Sequence, residues 1–406
     1  MIFRLALQSL ISRRFSAWVC IAMITLSAIA LLTVDTLYRG TQSAFGRSVQ
    51  GIDLIVGAPT GDINLLLFSA FQVGAPSREL SYATFTRWQQ DSNVKRAVPL
   101  MLGDSHKGYR VIGTNSQLFS HIGAISEREV FAQGHAFKQV FEVTLGHEVA
   151  QQLGYHIGDE LILSHGLGNH SFQHHDARRF RIAGVLAATG TPIDKTLQVS
   201  LEGLEAIHWP PAQLAQLPEQ LAIGESPALQ PDSIAAFYLT LTNKVRTFQV
   251  QRAINQSKIE PSQAILPGVA ITQLWSMLDW IEAALLGLGV LTALVATIGV
   301  LSTLLTHLDK RMSEFRLLQT LGASRRYIFT LLGLETALLV TLGLFTGVAL
   351  TIALERGLTG FAQSQWGLYW PLNLHWPWLI AAIPSAALAS GILLAGVAAL
   401  RLKRRL

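Results

Sequence analysis

RRFSAWVCIAMITLSAIALLTVDTLYRG, residues 13–40, decides how the rest of the chain is read. Two arginines precede an apolar run at 17–34, and Ala28-Ile29-Ala30 inside that run has the small-residue spacing of a signal-peptide cleavage site. Cleavage would remove this run from the mature chain, whereas retention would make it a membrane anchor. The apolar residues continue through Leu31-Leu32-Thr33-Val34, past the triplet. Three later apolar runs also need a partner if both termini are to lie on one side. The expectation is an uncleaved anchor.

The later runs are 283–305, 328–354 and 378–400, each long enough to span, since about 20 apolar residues cross a hydrocarbon core roughly 30 Å thick. Half of the 406 residues are hydrophobic and 14% are charged, against about 25% charged in ordinary soluble domains. The formal charge of +5 does not indicate nucleic acid, because the basic residues cluster beside apolar runs and form no stripe interleaved with aromatics. Arg4, Arg13 and Arg14 precede the first run. Lys310, Arg311, Arg316, Arg325 and Arg326 lie between the second and third, and Arg401, Lys403, Arg404 and Arg405 follow the fourth. With four spans, all three groups fall on one side, the cytoplasmic one by the positive-inside rule. Apart from Arg356, the other side has an aromatic belt of Tyr38, Trp275, Trp280, Tyr369, Trp370, Trp376 and Trp378. The expected fold class is an α-helical membrane protein with four transmembrane helices and a large extracytoplasmic α+β domain inserted between helices 1 and 2. Its expected parts are residues 1–38, a cytoplasmic segment with the first span; 39–278, the outer domain; and 279–406, the remaining spans. The expected location is the bacterial cytoplasmic (inner) membrane, multi-pass, with both termini cytoplasmic.

Within 39–278, GIDLIVG (51–57), GYRVIGT (108–114), DELILS (159–164), RFRIAGVL (179–186) and FYLTLTN (237–243) are β-rich runs bounded by Gly, Asp or Asn. SYATFTRWQQD (81–91), SLEGLEAIH (200–208) and NKVRTFQVQRAINQ (243–256) open with Ser or Asn at an N-cap position and predict helices. The proline-rich stretch 210–232 reads as a surface excursion. Cys20, the sole cysteine, lies in an apolar run and supports no disulfide or thiolate metal site.

Between the second and third spans lies DKRMSEFRLLQTLGASRRYIF, 309–329. Met312, Phe315, Leu318 and Leu321, with Leu317 beside them, recur at helical spacing, while Lys310, Arg311, Glu314 and Arg316 take the other positions. The pattern predicts an amphipathic helix over 309–325, ended by Gly322 in left-handed geometry, with Ser324 capping the next helix.

The stretch KRMSEFRLLQTLGASRRYIFTLLGLETALLVTLGLFTGVAL (310–350) resembles the core of the FtsX-like permeases. There, a charged residue and Glu-Phe lead into Leu-Gly-Ala-Ser and then a span with Glu and spaced glycines. LGHEVAQQLGYHIGDELILSHG (145–166) and RIAGVLAATGTPIDKTLQVSLEGLEAI (181–207) are similar to the outer domain of MacB-type permeases. The resemblance implies an ABC transporter permease subunit working by mechanotransmission. A separate cytoplasmic ABC ATPase dimer would grip Arg311, Glu314, Phe315, Leu318, Leu321, Gly322, Ala323 and Ser324, and ATP and Mg²⁺ would bind in that partner. It also implies a second permease chain, identical or not, and a periplasmic or outer-membrane partner or lipoprotein. A GxxxxGK[ST] phosphate loop does not occur in this chain. Glu335, about 13 Å into its span, reads as a packed structural carboxyl, and Gly343 and Gly347 form a GxxxG that permits close helix approach.

HGLGNHSFQHHD (165–176) raises a competing reading. His165, His170, His174, His175 and Asp176 are candidate ligands for Zn²⁺, because neutral imidazoles and a carboxylate suit a tetrahedral site. A membrane-anchored metallohydrolase would use them, but neither HExxH nor GxSxG occurs, so metal here fits sensing or docking better than catalysis. The plain alternative is a polar hairpin between the flanking strands. Another reading is an FtsX-like signalling protein that controls a periplasmic partner.

Topology is the reading on which the others depend. Reporters fused after Gly40 and after Gly203 are expected to be extracytoplasmic, and those near Arg311 and after Leu406 cytoplasmic. A cytoplasmic signal at Gly203 overturns the orientation.

Overall fold

The computed structural model describes residues 2–125, 130–165, 178–310 and 312–366. The expected fourth span, 378–400, lies outside the described residues. The chain divides into two compact units, one built from Met1–Gly40 with Asp279–Leu358 and the other from Thr41–Leu278.

The second unit is a large α/β domain around an 11-stranded mixed sheet. Nine strands follow one another across it: Gln263–Ile265, Leu54–Gly57, Ala236–Leu241, Val94–His106, Tyr109–Thr114, Thr196–Ser200, Glu142–Leu145, Phe180–Leu186 and Phe131–Gly134. Most neighbours are antiparallel. The exceptions are Thr196–Ser200 on Tyr109–Thr114 and Glu142–Leu145 on Phe180–Leu186, which run parallel.

Val94–His106 is the spine of the sheet. Its first half, up to Leu100, pairs with Ala236–Leu241, and its second half, from Met101, pairs with Tyr109–Thr114 across a register shift between Leu102 and Ser105. Two hydrophobic cores form along it. One gathers Leu54, Val56, Phe85, Trp88, Phe237 and Ile254. The other gathers Val143, Leu145, Phe180, Leu197, Val199 and Leu204. This strand was not expected, because Pro99 and Gly103 within it read locally as strand breakers.

The three expected helices begin where their caps stand. The Thr84 N–H donates to Ser81 Oγ ahead of Tyr82–Gln89, and the Gly203 N–H donates to Ser200 Oγ at 2.9 Å ahead of Leu201–Ala206. Asn243 accepts from the Val245 N–H ahead of a 3₁₀ turn, Lys244–Arg246, that leads into Thr247–Asn255. Such caps satisfy amide donors that the first turn leaves without partners, which is why Ser and Asn mark these starts. The proline-rich stretch 210–232 is more than a surface excursion: its Leu214, Leu221 and Leu229 are buried in the second core. Pro218 and Pro227 fall between them and interrupt any helical run, so no pattern announced them.

The first unit is helical. Its long helices are Arg14–Ser48, Pro267–Lys310 and Arg325–Trp366, all three of which continue into residues of the other unit, the third from Thr359 onward. Each is long and apolar enough to cross a membrane, and the expected spans 17–34, 283–305 and 328–354 lie within them. At 1.5 Å per residue they measure about 52, 66 and 63 Å, well beyond a 30 Å hydrocarbon core. A short helix, Ile2–Ser12, precedes the first of them, and Met312–Thr320 is helical ahead of the third.

His121, on the helix Gln117–Ile125, is only 3% exposed and lies against the Tyr238 ring. Burial first, and then the charge of Arg96, push its pKa down to about 4. The unfolded chain, with an imidazole near 6.5, therefore takes up the proton first as pH falls. The stability due to neutral His121 is fully present above about pH 6.5 and is lost on the way down to about 4, roughly 3 kcal/mol in all. Thermal melts of the detergent-solubilised chain at pH 7.5 and 5 are expected to show a smaller drop in Tm for His121→Gln than for wild type.

Candidate functional site

The connection between the second and third long helices is built by local backbone chemistry. Pro267–Lys310 is helical up to Arg311, which lies outside the described residues, and Met312–Thr320 is helical beyond it. This segment ends short of the expected 325, because Gly322, at φ 93, stops it. The stop is a Schellman motif: the Ala323 N–H donates to Leu318 O at 2.9 Å and the Gly322 N–H to Gln319 O at 3.0 Å. Ser324 then caps Arg325–Trp366, accepting the Tyr327 N–H on Oγ at 3.3 Å.

On this short segment Glu314 and Arg316 are exposed, and so are two large apolar side chains, Leu317 at 63% and Leu321 at 77%. Leu318 and Ala323 are half-buried, and Ser324 is exposed. Phe315 lies on the helix, whereas Arg311 is outside the described residues. Glu314 Oε1 also meets Arg13 Nη2 at 3.4 Å.

The long helices meet through glycine. A Cβ placed on Gly343 would stand 2.8 Å from Ile24 Cβ, and one on Gly347 would stand 2.7 Å from Ala28 Cβ. Thr25 lies in the same contact and donates to Gly343 O at 3.0 Å, with its hydroxyl 2.7 Å from that of Thr346. An adjacent face of the first long helix meets Pro267–Lys310. There, a Cβ on Gly289 or Gly299 would collide with Leu31 or Met23, and Ser27 donates to Thr292 O at 3.3 Å. Gly289 and Gly299 were missed in the sequence because their ten-residue separation matches no motif. Glu335 is buried at 5% exposure on the third long helix.

The histidine-rich stretch enters the sheet at its base. Ser164–His165 pairs with Asp104–Ser105, in an antiparallel bridge to the spine strand. His170, His174, His175 and Asp176 lie outside the described residues, and the described ones contain no group of three or more His, Cys, Asp or Glu able to hold a metal ion. Next to this base His208 Nε2 stands 3.4 Å from buried Asp104 Oδ2, and the hydrogen bond to Asp104 raises the imidazole pKa.

Family models match both units. The FtsX-like permease C-terminal model matches residues 286–405, and the MacB-like periplasmic core domain model matches residues 17–257, more than half of the chain. The chain belongs to the FtsX/MacB-type ABC transporter permeases. Among solved structures it is similar to the periplasmic region of MacB from Actinobacillus actinomycetemcomitans, at 10% identity and a TM-score of 0.36, over 56% of this chain and 95% of that one. It is also similar to the extracellular domain of the noncanonic ABC-type transporter YknZ from Gram-positive bacteria, at 12% identity and a TM-score of 0.31, over 52% and 98%. Curated proteins give no match. Permeases of this family are membrane proteins that work with cytoplasmic ABC ATPases.

The glycine contacts of the permease are open to a direct test. Gly347→Leu is expected to lower the Tm of the solubilised chain, since forcing bulk into a packed contact costs about 1–3 kcal/mol. Gly333→Leu, at a position where a Cβ meets nothing within 4 Å, is expected to leave it nearly unchanged.

Proposed function

We propose that this permease is the membrane subunit of a split ABC complex in which a cytoplasmic ATPase dimer drives a periplasmic domain mechanically. The ATPase engages the segment from Glu314 to Ser324. Its opening and closing shifts the long helices and reshapes the outer domain, which extrudes, releases or handles a periplasmic substrate. Two permease chains form the assembly. It resides in the bacterial inner membrane with both termini cytoplasmic, an orientation that rests on the Arg and Lys clusters at 4–14 and 310–326.

The observation that carries this reading is the helical segment Met312–Thr320. It is stopped sharply at Gly322 ahead of the long helix Arg325–Trp366, and exposes Leu317 and Leu321 beside Glu314 and Arg316. Exposed leucines flanked by charge are what a protein partner would cover. Pro267–Lys310 arrives at this segment as one uninterrupted helix, and a continuous hydrogen-bonded rod carries a push along its axis without absorbing it in a hinge.

Glu314→Lys and Leu321→Asp alter exposed side chains, so both variants are expected to insert and fold. Each is expected to weaken co-purification with the ATPase about tenfold, or about 1.4 kcal/mol, and to reduce stimulated ATP hydrolysis. Wild-type association and hydrolysis in both variants overturns the coupling reading.

A further inference from the structure

The turn Lys244–Arg246 and the helix Thr247–Asn255 that follows it carry a surface to which the coupling function assigns no role. Thr247, Val250 and Ile254 are buried on its inner side. Val245 and Phe248, three residues apart, are 86% and 71% exposed. Lys244, Arg246 and Arg252 are exposed beside them, and Arg246 Nη1 is held by Asn93 Oδ1 at 2.8 Å. No Asp or Glu occurs between Asn243 and Ile259. The first carboxylate beyond, Glu260, accepts instead from the Ser81 N–H at 3.0 Å and from Ser81 Oγ at 2.7 Å. Two bare apolar side chains thus stand in a patch of positive charge that no carboxylate of this stretch neutralises.

The place of this patch in the fold narrows what can cover it. The turn directly follows the strand Ala236–Leu241, at the end of the sheet where the Leu241 N–H donates to Asp53 Oδ2 at 2.7 Å and Thr240 Oγ1 donates to Gly51 O at 3.0 Å. The first long helix ends at Ser48, just before those residues, and the second begins at Pro267, just after the paired Ile55 and Ile265. Both connections to the membrane-crossing helices therefore leave from the same end of the sheet as the turn. From Pro267 to Trp280, in the aromatic belt, the helix covers about 20 Å, which bounds the distance of this sheet end from the belt. Headgroups themselves fill roughly 5–8 Å of that gap. Around Leu317 and Leu321 charges of both signs occur, as at the rim of a protein contact, whereas here the sign is uniform. Lysine is depleted in protein interfaces, and apolar tips flanked by Lys and Arg suit the boundary of an anionic bilayer.

We propose that this turn is a lipid-contacting tip of the α/β domain. Val245 and Phe248 enter the headgroup layer of the bilayer that the chain spans, and Lys244, Arg246 and Arg252 meet the phosphates of anionic phospholipid. The contact fixes this end of the sheet to the membrane surface and makes the domain's freedom to tilt depend on anionic lipid content.

The lipid contact is tested without any ATPase, so its outcome is separate from that of the coupling experiment. Full-length protein with Cys20→Ala and one of Val245→Cys, Phe248→Cys or Ala253→Cys carries an environment-sensitive fluorophore on its single cysteine, the last being an exposed control on the same helix. It is placed in phosphatidylcholine nanodiscs with or without about one-third phosphatidylglycerol, together with lipid spin-labelled at its headgroup. With phosphatidylglycerol, labels at positions 245 and 248 are expected to be quenched about threefold more than the label at 253. Lys244→Glu with Arg252→Glu, both exposed side chains, is expected to bring the label at 245 down to the level of the control. Equal quenching at 245 and 253 overturns the proposal, as does quenching at 245 that is unchanged when phosphatidylglycerol is left out. A label at 245 that is shielded from water yet untouched by spin-labelled lipid also overturns it, and assigns the patch to a protein contact.

Discussion

Close approach of the first long helix to its two neighbours is the constraint on which the helical unit depends. Inside a bilayer, apolar side chains gain nothing by leaving lipid for protein, so helices associate through tight van der Waals contact and interhelical hydrogen bonds. The first helix meets the third at Ile24, Thr25 and Ala28 and the second at Met23, Ser27 and Leu31, in both cases where the neighbour has glycine. The two sets lie on adjacent faces of one helix at spacings of three and four. Hydrogen bonds such as that of Thr25 with Gly343 contribute about 0.6 kcal/mol each on average in membranes, so the glycine contacts, not the hydroxyls, carry the association.

The α/β domain follows a different principle. Here burial of apolar surface provides the driving force, and a single long strand organises it. Val94–His106 serves both cores because its two halves, up to Leu100 and from Met101, pair with different strands. Two buried carboxyl groups in this domain have dense local partners. Burial alone would raise the Glu142 carboxyl, yet the Lys138 and Gln139 N–H groups and the Arg181 guanidinium donate to it and hold it below its usual range. Asp194 accepts from Thr189 and Gly190, but at 3% exposure burial prevails and its carboxyl is raised.

Between the long helices, sharpness of the backbone turn matters more than affinity. Gly322 ends one helix and Ser324 starts the next within three residues, which leaves only a tight turn ahead of the third long helix. The Arg13–Glu314 pair is partly solvated and is worth under about 1 kcal/mol. A contact of that size can position a helix yet yield to a binding partner.

Local pattern sufficed wherever the physics is local. Apolar runs at 17–34, 283–305 and 328–354 marked the long helices because length and hydropathy are properties of one segment. Ser81, Ser200 and Asn243 marked helix starts, and Gly322 a helix stop, because capping acts within about four residues. The permease family was legible in 310–350 for the same reason, since its Glu-Phe and Leu-Gly-Ala-Ser elements are contiguous. The spine strand escaped notice because Pro99 and Gly103 oppose it locally, and its two partner strands outweigh them. Gly289 and Gly299, buried Leu214, Leu221 and Leu229, and the approach of Arg13 to Glu314 across 301 positions were equally hidden. In each case the decisive neighbour lies far along the chain. The sequence by itself determined the membrane class, the family and the ends of individual helices through short-range hydrogen bonding and hydropathy. Only the tertiary structure decided which faces meet, because shape complementarity between distant segments exists only once both are folded.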